Sequence, residues 1–124
     1  MAQRIAPAEA DARDLLVRSF PDKQARIFKT AYTANNNFLT TPITPRDASA
    51  LFRVHITMNA SALFKMTRAN GGSTITEKFN SGTSLVADSA YLFDVLSLEG
   101  YTINFQADAG TTILYFQCDE YGGI

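Results

Sequence analysis

From Leu51 to Gln106 the chain keeps returning to one pattern, in which every second residue is apolar. Phe52, Val54, Ile56 and Met58 alternate with Arg53, His55 and Thr57. Ala62, Phe64 and Met66 alternate with Leu63, Lys65 and Thr67, and Tyr91, Phe93 and Val95 with Leu92, Asp94 and Leu96. Tyr101, Ile103 and Phe105 alternate with Thr102, Asn104 and Gln106, the cleanest one-sided pattern in the chain. A period of two fits a half-buried strand, because successive side chains of extended backbone point to opposite faces. A surface helix would space its apolar residues by three and four. Turn-forming residues divide the runs: Asn59-Ala60-Ser61, Asn70-Gly71-Gly72, Asn80-Ser81-Gly82, Glu99-Gly100 and Asp108-Ala109-Gly110. Glycine supplies the positive φ that short hairpin loops need.

Two further strands follow from residue type. Thr74 to Phe79 is β-branched and polar, as expected of a returning strand near a sheet edge. Ile113 to Cys118 is almost continuously apolar, which reads as a central strand covered on both faces or as one whose second face meets a partner. Six strands from residue 51, with one or two earlier ones near Ile27 and Leu39, predict an all-β fold. The expected architecture is an antiparallel β-sandwich or jelly roll. Pro42 and Pro45 hold the segment before it extended.

With 124 residues the chain has room for one core without disulfide or metal staples. We assign residues 25–124 to a single sandwich domain and residues 1–24 to an N-terminal arm, partly helical. The arm is alanine-rich, with early acids and later arginines between residues 8 and 18, and Pro21 ends any helix there. Residues 1–29 hold six cations and four acids, a net of +2, so the rest of the chain carries −3.

The overall charge of −1 argues against a nucleic-acid binder that relies on bulk phosphate neutralisation. One cysteine and one histidine leave no disulfide framework, no Cys-based zinc site and no two-histidine metal cluster, and no cofactor is expected. His55 falls on the solvent phase of its strand, and Cys118 is read as a small buried hydrophobe in phase with Leu114 and Phe116. Asp119 and Glu120 are read as a solvated chain end rather than a cation site. No acid pair is singled out for hydrolysis, and Asn70-Gly71-Gly72 lacks the following Lys-Ser or Lys-Thr helix of a phosphate cradle. No stretch reaches the roughly 18 apolar residues of a membrane span, and the first ten residues lack a signal-peptide core. Tyr91, Tyr101, Tyr115 and Tyr121 are candidate interface residues, since tyrosine is amphipathic.

Five stretches carry a resemblance: Phe-Leu-Thr-Thr-Pro-Ile-Thr-Pro from Phe38, Phe-Arg-Val-His-Ile from Phe52, Thr-Ile-Thr-Glu-Lys-Phe-Asn-Ser-Gly from Thr74, Ala-Asp-Ser-Ala-Tyr-Leu-Phe-Asp-Val-Leu from Ala87, and Thr-Ile-Asn-Phe-Gln from Thr102. In texture the chain from Phe38 to Tyr121 resembles small jelly-roll structural proteins of tailed phages and related viruses, of the capsid decoration or cement type. The resemblance implies a non-enzymatic virion protein, made in the host cytoplasm, that docks on the major capsid protein or another virion protein and forms homo-oligomers, trimers foremost. It also implies an arm that grips the capsid. On this chain the arm's docking residues are expected to be Arg4, Ile5, Leu15, Leu16, Arg18 and Phe20, from the composition break and the apolar cluster at 15–17. The alternative is a carbohydrate-binding sandwich on a viral tail or cell surface, which calls for two or three coplanar exposed aromatic rings. A cupin-like metal enzyme would need several histidines where this chain has one.

Overall fold

The structure, a computed structural model, describes residues 23–45 and 50–122. Among the described residues seven strands form: β1 (Lys23–Tyr32), β2 (Leu51–Met58), β3 (Phe64–Asn70), β4 (Ser73–Lys78), β5 (Tyr91–Leu96), β6 (Thr102–Ala107) and β7 (Thr111–Tyr121). They make two antiparallel sheets. Sheet A has the order β1-β7-β2-β5 and sheet B the order β4-β3-β6. The fold is a β-sandwich, and the chain crosses from one sheet to the other repeatedly. A short extended segment adds to sheet B. There Ile43 and Ile103 exchange both main-chain hydrogen bonds at 2.8 Å, and Phe38 N–H donates to Phe105 O, also at 2.8 Å.

The alternation seen in the sequence sets the inner faces. Phe52, Val54, Ile56 and Met58 of β2 are buried, with Arg53, His55 and Thr57 on the other side. Phe64 and Met66 of β3, Ile103 and Phe105 of β6, and Phe116 of β7 complete the core from both sheets. Its centre is aromatic. Phe64 stacks on Phe79 at 4.8 Å between ring centroids and on Phe105 at 5.7 Å, and Phe105 tilts against Phe116 at 5.1 Å. Offset and edge contacts of this kind add about 0.5–1.5 kcal/mol per pair beyond the area they bury. The two-residue connection Gly71-Gly72 joins β3 to β4, with Asn70 opposite Ser73 and Gly71 at φ +58°. A side chain at Gly71 would be strained there whatever the space around it.

Four expectations change. β7 is an inner strand of sheet A, as is β2, but only one of its faces meets the core; Tyr115, Gln117 and Tyr121 are half-buried on the other. A bulge lies opposite Met58, so Ile113 and not Leu114 points inward with Phe116 and Cys118. An extra residue flips the phase of everything before it, which period counting across the bulge misses. Asp119 and Glu120 are no solvated end: they are 5% and 1% exposed, because β1 and β2 flank them on both sides. Asn104, assigned to a solvent phase, is buried under the segment that begins at Phe38.

Candidate interaction surfaces

The outer face of sheet A is built by register. His55 stands between Gln117 and Leu92, and Arg53 between Asp119 and Asp94. Leu51 stands between Tyr121 and Leu96. Cross-strand neighbours on one face are close enough to interact. Arg53 donates from Nε to Asp94 Oδ1 at 2.9 Å and from Nη2 to Oδ2 at 3.1 Å, a bidentate pair, and its guanidinium lies 5.9 Å from the Tyr121 ring. The hydrogen bonds from Arg53 hold the Asp94 carboxyl below its ordinary value, against a smaller opposing effect of burial. Along β7, the Tyr115 hydroxyl donates to Gln117, whose Nε2 donates to both Asp119 oxygens at 2.8 and 2.9 Å. The polar middle of this face is therefore internally paired. Its apolar members are not covered: Leu92 is 55% exposed, Leu96 67% and Phe28, beside Tyr115, 63%.

At the opposite edge of the sandwich a cavity of about 310 Å3 opens between β1 and residues 41–44. Its lining is mainly apolar, with Ala25, Pro42, Ile43 and Phe52 beside Cys118 and the inward Glu120. Burial, with smaller contributions from Asp119 and Glu120, pushes the Cys118 thiol up to about 12, so it is neither a ready nucleophile nor a metal ligand. His55 and Cys118 point to opposite faces of sheet A and form no dyad. In sheet B, Arg68 takes the inward phase of β3 and donates from Nε to Glu77 at 2.7 Å. Its Nη1 is buried without a hydrogen-bond partner among the described residues. No group of three or more potential metal ligands occurs among the described residues.

The docking residues expected from the sequence, Arg4, Ile5, Leu15, Leu16, Arg18 and Phe20, lie outside the described residues. Of the four tyrosines, Tyr115 and Tyr121 stand on the outer face of sheet A. Tyr101 is half-buried just before β6, and Tyr91 faces the other way, stacked on Phe93 with its hydroxyl accepting from Val86 N–H. Every ring–ring contact among the described residues involves core rings or this inner pair, so none makes an exposed coplanar platform. The feature overlooked in the sequence is Leu92 and Leu96. The signal was present, since Tyr-Leu-Phe-Asp-Val-Leu is apolar in both phases of its alternation. Comparison with protein-family models, curated proteins and solved structures finds no match for this chain.

Proposed function

We propose that this chain is a non-enzymatic structural subunit of a virion, a capsid decoration protein that docks on the major capsid protein through its N-terminal residues and its sandwich edges. The observation that carries the reading is the strand order. With the Ile43 segment counted as an eighth strand, sheet A runs β1-β7-β2-β5 and sheet B runs Ile43-β6-β3-β4. We read that order as a jelly roll, the architecture the sequence resemblance implies. Fold alone does not assign a function. The second support is the surface, which offers apolar side chains around internally paired charges and so suits docking better than small-molecule chemistry.

The test uses heads assembled from the major capsid protein of the same genome. The full chain should co-sediment with them. A chain lacking residues 2–22, which leaves β1 entire, should keep its strand signature in circular dichroism and lose binding. Undiminished binding would remove the arm from the proposal. A full chain that ignores the heads and instead binds members of a glycan panel would replace the virion reading with the carbohydrate-binding one.

A further inference from the structure

Four strand edges bound the two sheets, and three of them are managed. Unpaired edges invite another strand, and proteins blunt them with charges, irregular backbone or cover. β1 carries Arg26 and Lys29, and Lys29 sits at φ +48°, where the ladder with β7 is interrupted. β4 is exposed on both faces and mostly polar, with Glu77 and Lys78. The outer edge of β6 is closed by the connection that follows β1, since Asn35 N–H donates to Ala107 O, Phe38 N–H to Phe105 O and Ile43 N–H to Ile103 O.

β5 carries one charge, Asp94, which is already paired with Arg53, and among the described residues nothing else breaks or covers its edge. It reads Tyr-Leu-Phe-Asp-Val-Leu, with no lysine, proline, glycine or bulge. Among the described residues no main-chain hydrogen bond reaches it from the side away from β2. Ser97 N–H donates to Ala50 O at 2.8 Å, which fixes the alternation of the β2–β5 ladder. The main chains of Tyr91, Phe93 and Val95 turn toward β2, and those of Leu92, Asp94 and Leu96 turn to the open edge. The same three residues hold the exposed outer face.

We propose that β5 pairs antiparallel with β5 of a second copy of this chain, across a two-fold axis at Asp94, joining the two A sheets into one. The sequence is self-complementary in that register. Leu92 of each copy meets Leu96 of the other, and Asp94 meets its own mate. All six N–H and C=O groups that the edge of each copy leaves open find partners. Two facing carboxylates would repel, but each already lies in a bidentate pair with its own Arg53. A second copy is therefore the occupant that fits both the hydrogen-bond phase and the side chains. Only three residues of each copy supply main-chain pairs across the edge, so a weak dimer of about micromolar affinity is expected. This contact is independent of the virion reading, and it differs from the threefold assembly that the resemblance implies.

The full chain should be a dimer by sedimentation velocity at ~100 μM and dissociate on dilution. Leu96→Lys and Leu92→Lys, both at exposed positions, should each raise the dimer dissociation constant at least about tenfold with circular dichroism unchanged. Asp94→Asn should not weaken the dimer. Amide exchange should show the N–H groups of Leu92, Asp94 and Leu96 protected at high concentration and open on dilution. Three results would each overturn the proposal: a monomer at ~100 μM, an oligomer indifferent to both lysine variants, or protection of those amides that does not change with concentration.

Discussion

Asn104 does the work of a missing stretch of strand, and replacing it should show how much the chain depends on that. Its Oδ1 accepts from Leu39 N–H at 3.0 Å and from Phe105 N–H at 2.9 Å, and its Nδ2 donates to Leu39 O at 2.9 Å. The side-chain amide thus pairs both main-chain groups of Leu39, between the points where Phe38 and Ile43 bond directly to β6. Asn104→Ala deletes all three bonds. Each is worth about 0.5–1.5 kcal/mol net, and water reaching half-buried Leu39 recovers part of the loss, so the cost should be about 2–3 kcal/mol. Asn104→Asp keeps the acceptor but sets a carboxylate oxygen against Leu39 C=O. Burial and that carbonyl raise the folded pKa of the new acid, and the two N–H donors oppose them less strongly. A raised folded pKa means stability that is present at low pH and lost as pH rises through it. Urea unfolding of wild type and both variants at pH 7 and near pH 4 is the assay. Asn104→Ala should show the same deficit at both pH values, whereas the Asn104→Asp deficit should shrink on acidification. An Ala cost under about 0.5 kcal/mol, within the range of ordinary surface substitutions, would refute the argument. So would an Asp deficit that grows in acid.

Phe64→Ala, at the hub of the aromatic cluster and fully buried, should cost about 3–5 kcal/mol in urea unfolding. Phe28→Ala, at a site 63% exposed, should change stability by less than about 0.5 kcal/mol. Cys118 should resist alkylation in the native protein and react fully in denaturant; rapid native labelling would contradict its burial. The Cys118 thiol and the Tyr32 hydroxyl are both raised, chiefly by burial. The Cys118 contribution to stability is complete below about pH 9 and is lost as pH rises toward 12, and Tyr32 acts in the same direction, so alkaline unfolding should begin in that window. The Arg53–Asp94 pair works in the opposite direction, since a lowered carboxyl stabilises above its unfolded value and loses that effect in acid. Because both side chains are about 40% exposed or more, Arg53→Ala should cost under about 1 kcal/mol in the monomer, and salt should reduce the effect further.

Residue order alone assigns the core-facing side chains wherever strands are regular. Phe52, Val54, Ile56 and Met58, then Phe64 and Met66, then Ile103 and Phe105, are apolar at every second position, and extended backbone leaves them no other face to share. It also located the β3–β4 turn, because Gly71 can take a conformation that other residues avoid. The candidate surfaces were less legible. Alternation places His55 and Arg53 on the outer face, where they stand, but nothing local to Tyr-Leu-Phe-Asp-Val-Leu says that it ends a sheet. Being an edge depends on which strands lie beside it, and strand order comes from contacts between distant parts of the chain. The same reason hid Asp119 and Glu120, which sit near the end of the sequence but in the middle of a sheet. Asn104 looked solvated because alternation describes a strand and its two faces. Only the packed structure brings Leu39 across one of them, leaving two backbone groups for the amide to satisfy.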